Sequence, residues 1–176
     1  DKRGYTCIEA EHFNASNAAN GTYWEVIPFM GRTLSGISLR PYTADPSGAS
    51  LTYKLKLPAN CDSVKVHVIV KSTLAFKNAD GHKYAVKLDE GNAVEVNFNG
   101  NLNEKPENCY SIYYPTVARR VVESVVPFAV KGNSQNIHTI TLSPLDPAIV
   151  FEKLVVDYGG YEEQFLFGTE SNRLVK

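Results

Sequence analysis

Cysteine is scarce in this chain, and nothing about its placement is informative. The three present are Cys7, Cys61 and Cys109. An odd number cannot form a fully paired framework, and the wide spacings fit no zinc pattern. They read as small apolar filler, with a single Cys61–Cys109 bridge as the other reading. An excess of either charge is also missing: 18 Lys and Arg stand against 19 Asp and Glu, a net charge of −1. Nucleic acids and anionic membranes favour strongly basic surfaces, so neither is expected as a partner. No apolar run approaches the ~18 residues of a membrane-spanning helix. The start, Asp1-Lys2-Arg3-Gly4, leads directly into a strand pattern and does not read as a signal peptide. It reads as a processed or excised end, which leaves an extracytoplasmic home open. Catalytic signatures are absent too: there is no Gly-x-Ser-x-Gly elbow, no His-Glu-x-x-His and no paired-Cys motif. The four histidines, His12, His67, His82 and His138, are scattered and read as structural.

What the chain does have is a period of two. Leu51, Tyr53, Leu55 and Leu57 alternate with polar residues, as do Val64, Val66, Val68 and Val70. Val94, Val96 and Phe98 repeat the pattern, and so do Ile140 and Leu142. This marks strands with one face on a core and the other toward water. Residues 149–158 form a richer apolar run that fits a central strand. Turn signals separate the runs: Pro46-Ser47-Gly48, Pro58-Ala59-Asn60, Asp80-Gly81, Glu90-Gly91-Asn92, Asn99-Gly100-Asn101 and Lys131-Gly132-Asn133. Nine or ten strands at short intervals predict an all-β, jelly-roll-like β-sandwich. With 176 residues, one domain with a sizeable core is expected. Its core would span about residues 5–160, followed by an irregular tail over 161–176. One segment departs from the pattern. Pro115 to Ser124 carries Val117, Val121 and Val122 at helical spacing, with a proline suited to a first turn. It predicts one short helix.

Two features could carry chemistry. The first is Ile8-Glu9-Ala10-Glu11-His12-Phe13. On a strand, Glu9 and Glu11 would share a face about 7 Å apart. Like charges that close call for a shared cation, a shared proton or full solvation. A hard cation such as Ca²⁺ takes carboxylate and carbonyl oxygens, and Asp157, at the end of the last strand run, could complete the shell. The other reading pairs Glu9 with Arg32 and leaves Glu11 solvated. The second feature is aromatic. Sugar rings stack their C–H faces on flat side chains, and Trp24, Tyr42, Phe76 and Tyr113 fall in loops or at segment starts where they could do so. Core packing is the alternative for each. The Asn-x-Ser/Thr triplets at Asn14 and Asn20 matter only in a eukaryotic secretory setting.

The hexad resembles the opening of family 6 and family 35 carbohydrate-binding modules. A longer set of motifs resembles the C-terminal domain of glycoside hydrolase family 115, the xylan α-glucuronidases. Trp24-Glu25-Val26-Ile27-Pro28 precedes Gly31-Arg32-Thr33. Ser72-Thr73-Leu74-Ala75-Phe76 leads to Tyr84-Ala85-Val86-Lys87-Leu88-Asp89. Ile137-His138-Thr139-Ile140-Thr141-Leu142 precedes Asp146-Pro147-Ala148-Ile149-Val150 and Glu152-Lys153-Leu154-Val155-Val156-Asp157-Tyr158-Gly159-Gly160. Phe165 to Ser171 resembles the family's closing segment. Ser72 departs from an expected proline, and Tyr114 from an expected tryptophan. The resemblance implies a non-catalytic accessory β-sandwich from a secreted, periplasmic or cell-surface enzyme that degrades polysaccharide. It implies two partners: the catalytic domain of the same polypeptide, and a plant polysaccharide or uronic-acid-bearing glycan such as glucuronoxylan, with Arg32 a candidate for the uronic acid's charge. It also implies a structural calcium on Glu9, Glu11 and Asp157. The alternative function is a structural or dimerising domain that packs on the catalytic region and binds no sugar.

Overall fold

In the computed structural model, residues 2–19, 21–77 and 80–174 are described; Asn20, the first residue of the second Asn-x-Ser/Thr triplet, lies outside them. The alternating runs form two antiparallel sheets. The first contains β1 (Tyr5–Glu9), β3 (Tyr23–Ile27), β4 (Gly36–Arg40), β6 (Ser63–Lys71), β9 (Val121–Ala129) and β11 (Val150–Asp157). Its order is β3-β4-β11-β6-β9, and β1 also pairs with β11. The second contains β2 (Ala15–Asn17), β5 (Ser50–Lys56), β7 (Lys83–Leu88), β8 (Val94–Asn97) and β10 (Ile137–Pro144), in the order β2-β5-β10-β7-β8. The core lies between them. Leu51, Tyr53 and Leu55 of β5 meet Val64, Val66, Val68 and Val70 of β6, with Phe151 and Tyr84 filling the centre. This is the sandwich that the alternation predicts, because period-two side chains put every second residue on one face. β11 is buried on nearly its whole length, as its unbroken apolar run requires. The edge strand β8, by contrast, leaves Val94 39% exposed.

Two expectations need correction. The predicted helix over 115–124 is shorter and starts earlier. A turn of helix, α1 (Pro106–Asn108), runs into a π-helical turn (Cys109–Tyr113) and then α2 (Tyr114–Arg119). Arg120 adopts a left-handed φ of 58° and ends it. Val121 and Val122 then begin β9, buried against the sandwich. β-branched residues lose χ1 freedom in a helix and fit a strand, so the valines mark a strand start. The opening strand is also shorter than the hexad. β1 stops at Glu9, and a turn closed by the His12 N–H donating to the Glu9 carbonyl (2.9 Å) follows. Glu9 and Glu11 therefore do not share a strand face.

The C-terminal segment forms a third layer on the outer face of the first sheet. Phe167 is fully buried there among Tyr5, Cys7, Ile69, Val121 and Val155, with Tyr161 packed alongside. The segment borrows the open edge of β1: Ser171 N–H donates to the Cys7 carbonyl (2.8 Å), and Cys7 N–H donates to Ser171 Oγ (3.0 Å). Gly4, at φ 79°, allows the chain entering β1 to pass against Gly160, whose Cα a Cβ on Gly4 would approach to 2.7 Å.

The register fixes which loops meet. Ser38 pairs with Val150 and Val70 with Phe151, while Lys71 pairs with Val121. β4 therefore ends, β6 ends and β9 begins beside the start of β11. In the second sheet, Pro144 pairs with Tyr84 and Asn17 with Ser50. The short 145–149 link joins the two sheets at this same end. Loops 41–49, 72–82 and 98–120 thus converge on one end of the sandwich.

Candidate functional site

That end carries the aromatic residues singled out from the sequence, in different states. Trp24 is half-buried on β3 and packs against the core, and its indole N–H donates to the Asn17 carbonyl (2.8 Å). It ties β3 to the end of β2 and offers only part of its ring. Tyr42, just past β4, lies under the Arg40 guanidinium at 4.1 Å from its ring centroid, and Arg40 in turn pairs with Glu25. Phe76 is 59% exposed in loop 72–82, beside Leu74 at 84%. Tyr113 is half-buried in a tyrosine cluster: its ring lies 5.6 Å from Tyr114, which lies 5.7 Å from Tyr110. Tyr110, at 82% exposure, is the open member of this cluster. The sequence pointed to residues 110–114 as an exposed apolar patch rather than a sugar contact, because the π-helical turn that turns Tyr110 outward has no local signature.

The three acids are not brought together. β1 and β11 do run side by side, as first and last strands of a jelly roll were expected to. In their register, however, Tyr5 pairs with Asp157 and Glu9 with Lys153. Four residues of strand, about 13 Å, separate Glu9 from Asp157. Glu9 is instead buried against a buried Lys153, whose ammonium lies 3.0 Å from Glu9 Oε1. The ammonium also donates to the carbonyls of Leu166 and Gly168, each at 3.0 Å. Thr33 Oγ1 donates to the Glu9 carboxylate. A cation already sits among these oxygens, and it is the protein's own, so Glu9, Glu11 and Asp157 do not fit a shared metal ion. Among the described residues, no three or more His, Cys, Asp or Glu side chains gather as a metal group.

Asp157 is spent on local structure. Its Oδ1 accepts the N–H groups of Gly159 (2.8 Å), Gly160 (3.0 Å) and Tyr161 (3.0 Å). Desolvation alone would raise its pKa, but these three donors outweigh it and hold the carboxyl below its ordinary 3.8. A depressed folded pKa gives stability that is present above the unfolded value and fades as pH falls through the folded one. Asp157→Asn is therefore expected to be less stable than the wild type at pH 7, with the gap closing as pH drops below about 4. Urea melts at pH 7 and pH 3 check this, and an equal gap at both refutes it.

Arg32 is committed as well. Its guanidinium stacks on Phe165 at 4.2 Å and on Phe167 at 5.5 Å, and donates to the carbonyls of Phe165 and Arg119. Its backbone N–H donates to Glu152 Oε2 at 3.1 Å, and its charge also favours that carboxylate. Burial raises the Glu152 pKa against the opposing pull of Lys71, whose Nζ lies 3.4 Å from Oε1. Arg32 thus partners neither Glu9 nor a free ligand. The cysteines are all free thiols, so no Cys61–Cys109 bridge forms. Burial pushes the Cys7 thiol up to about 11, which suits packing rather than reactivity.

The model of one protein family, described as the glycosyl hydrolase family 115 C-terminal domain, matches residues 1–170. No curated protein matches the sequence. Among solved structures, the chain is similar to a GH115 4-O-methyl-α-glucuronidase with specificity for decorated arabinogalactans (TM-score 0.64, 16% identity); the match covers 90% of this chain and 17% of that one. It is also similar to a family 35 carbohydrate-binding module from Clostridium thermocellum (TM-score 0.55, 11% identity, 86% and 98% covered). A third likeness is to the C-terminal family 6 module of a Zobellia galactanivorans laminarinase (TM-score 0.54, 14% identity, 87% and 98% covered). At these identities the likenesses establish a shared fold. The chain spans about a sixth of the length of the glucuronidase it matches.

Proposed function

The chain belongs to the glycosyl hydrolase family 115 C-terminal domain family, and on that premise we propose that it is the non-catalytic, carbohydrate-binding part of a longer polysaccharide-degrading enzyme. The observation that carries this reading is the convergence of exposed aromatics at one end of a sandwich. Phe76 and Tyr110 stand out from two different loops there, and the partly buried Tyr42 and Tyr113 belong to loops at the same end. Flat, exposed rings backed by polar loops suit the C–H faces of sugars. The ligand class we assign is a plant polysaccharide, including uronic-acid-bearing glycans such as glucuronoxylan. The chemistry would reside in a catalytic region of the same polypeptide, acting in a secreted, periplasmic or cell-surface setting.

The test is affinity gel electrophoresis on soluble xylan, glucuronoxylan and arabinogalactan. Wild-type protein is expected to be retarded by at least one. Phe76→Ala with Tyr110→Ala is expected to reduce that retardation about tenfold or more, since stacked aromatics dominate such contacts, while Tm stays within about 2 °C. No retardation on any of the three would remove the binding reading.

A second reading has its own observation. Phe29, at the tip of the β3–β4 hairpin, is 95% exposed with φ 59°, and Met30, Leu34, Tyr114 and Val117 are also open. Such apolar exposure suits packing against another surface. If this face dimerises, sedimentation of the isolated chain will show dimers that Phe29→Ser disperses; if it packs on the catalytic region, the isolated chain will sediment as a monomer.

A further inference from the structure

Arg32 is unavailable to an acidic ligand, yet the molecule holds free cations elsewhere. A groove of about 760 Å³ runs between the edges of the two sheets, well away from the aromatic end, beneath residues 171–174 of the C-terminal segment. Lys2, Lys54, Lys56, Arg173 and His12 line it, and no carboxylate side chain does. In a chain with net charge −1, four Lys and Arg residues around one cavity are a marked local imbalance; the Glu170 carboxylate that borders it is held by His12 at 2.7 Å. None of the four Lys and Arg forms an ion pair among the described residues.

The rest of the lining is mixed. Ile8, Phe13 and Leu55 supply an apolar wall, while Thr6, Asn14 and Asn172 supply hydroxyl and amide groups. Asn14 also fixes the geometry. Its Oδ1 accepts the Lys54 N–H (2.7 Å) and its Nδ2 donates to the Leu174 carbonyl (2.8 Å). One side chain therefore holds the open edge of β5 and the covering segment in place. Oxyanions seek such cations, amides and hydroxyls match sugar hydroxyls, and an apolar wall matches a pyranose face. A nucleic acid needs an extended basic surface, which this cavity is not.

We propose that this groove is a second glycan site, one that takes an anionic sugar unit and holds its carboxylate or sulfate with Lys54, Lys56 and Arg173. The proposal rests on the carbohydrate-binding reading above and adds to it a place and a charge preference.

The test is isothermal titration of the 176-residue chain with an oligogalacturonide, a sulfated galactan oligosaccharide, neutral xylohexaose and a short oligothymidylate. Lys54→Glu/Lys56→Glu is the groove variant; both side chains are exposed, so Tm is expected to hold. Phe76→Ala/Tyr110→Ala is the comparator. The expected result is binding of at least one anionic oligosaccharide, weakened about tenfold or more by the groove variant and by 0.5 M salt, and unchanged in the comparator. The carboxylate and sulfate arms tell the two oxyanion sources apart. Equal binding by wild type and groove variant overturns the proposal, as does equal affinity for oligothymidylate. If xylohexaose binds and only the comparator loses it, while no anionic sugar binds, the groove fails and the carbohydrate-binding reading stands. If no glycan binds at all, both fall.

Discussion

Replacing Lys153 with methionine is expected to destabilise the fold by about 3–5 kcal/mol, a fall in Tm on the order of 10 °C. The side chains of Lys153 and Glu9 are 3% and 4% exposed, and they touch at 3.0 Å. Removing the ammonium leaves the Glu9 carboxylate buried, with Thr33 as its side-chain hydrogen-bond donor. It also removes the ammonium from the Leu166 and Gly168 carbonyls, leaving Gly168 the weak Cys7 thiol as donor (3.7 Å). An uncompensated buried charge costs far more than the intact pair contributes. The double replacement Glu9→Leu/Lys153→Met should therefore recover much of the loss, because two apolar groups in that space ask for no partner. Urea denaturation of the wild type, both single variants and the double variant gives the coupling directly. A single Lys153→Met loss under about 1 kcal/mol would show that the pair is solvated and the clasp unimportant.

Phe167→Ala is expected to cost a similar amount, about 3–5 kcal/mol, by emptying a fully buried aromatic site. Phe167 is 0% exposed, although it belongs to the irregular tail and to no strand. It plugs the outer face of the first sheet over Cys7, Ile69 and Val155, with the Arg119 guanidinium 5.3 Å from its ring centroid. The loss should appear locally as well as globally. The amides of Cys7 and Glu9 donate to Ser171 Oγ (3.0 Å) and Glu170 Oε1 (3.2 Å), so hydrogen exchange there should accelerate once the tail lifts. Phe165→Ala, two residues away but 74% exposed, is expected to stay within about 0.5 kcal/mol. Equal losses from the two variants would mean that the tail is not a packed layer.

These two predictions rest on contacts that the sequence did not announce. The strands were legible because alternation is local: Leu51, Tyr53 and Leu55 need only a period of two to declare a buried face. Where a residue type had two uses, local reading failed. Val121 and Val122 fit the spacing of a helix, but a left-handed Arg120 hands them to β9. Glu9 and Glu11 looked like a pair because they are two apart, and a turn after Glu9 removes the premise. Lys153 gave no sign of being buried, since a lysine in a strand is usually on the wet face. The same holds for the aromatics. Trp24 and Phe76 were both read as open rings, and the Trp24 hydrogen bond to Asn17 at the end of β2 is what commits it.

Alternation and turn spacing, taken alone, determined a β-sandwich, and the order of short motifs carried its resemblance to the family 115 C-terminal domain. Those are properties of local pattern and chain order, and a strand's inward face is set by its own residues. Tertiary structure decided what each charge does. Whether a carboxylate meets a metal, a lysine or water depends on strand register and on a tail that folds back from more than 150 residues away. In the case of the opening acids, register placed Lys153 opposite Glu9, and a buried carboxylate held by an ammonium has no remaining need of an ion. The same folding gathers Lys54, Lys56 and Arg173 around one groove, while Glu170, the acid beside it, is engaged by His12.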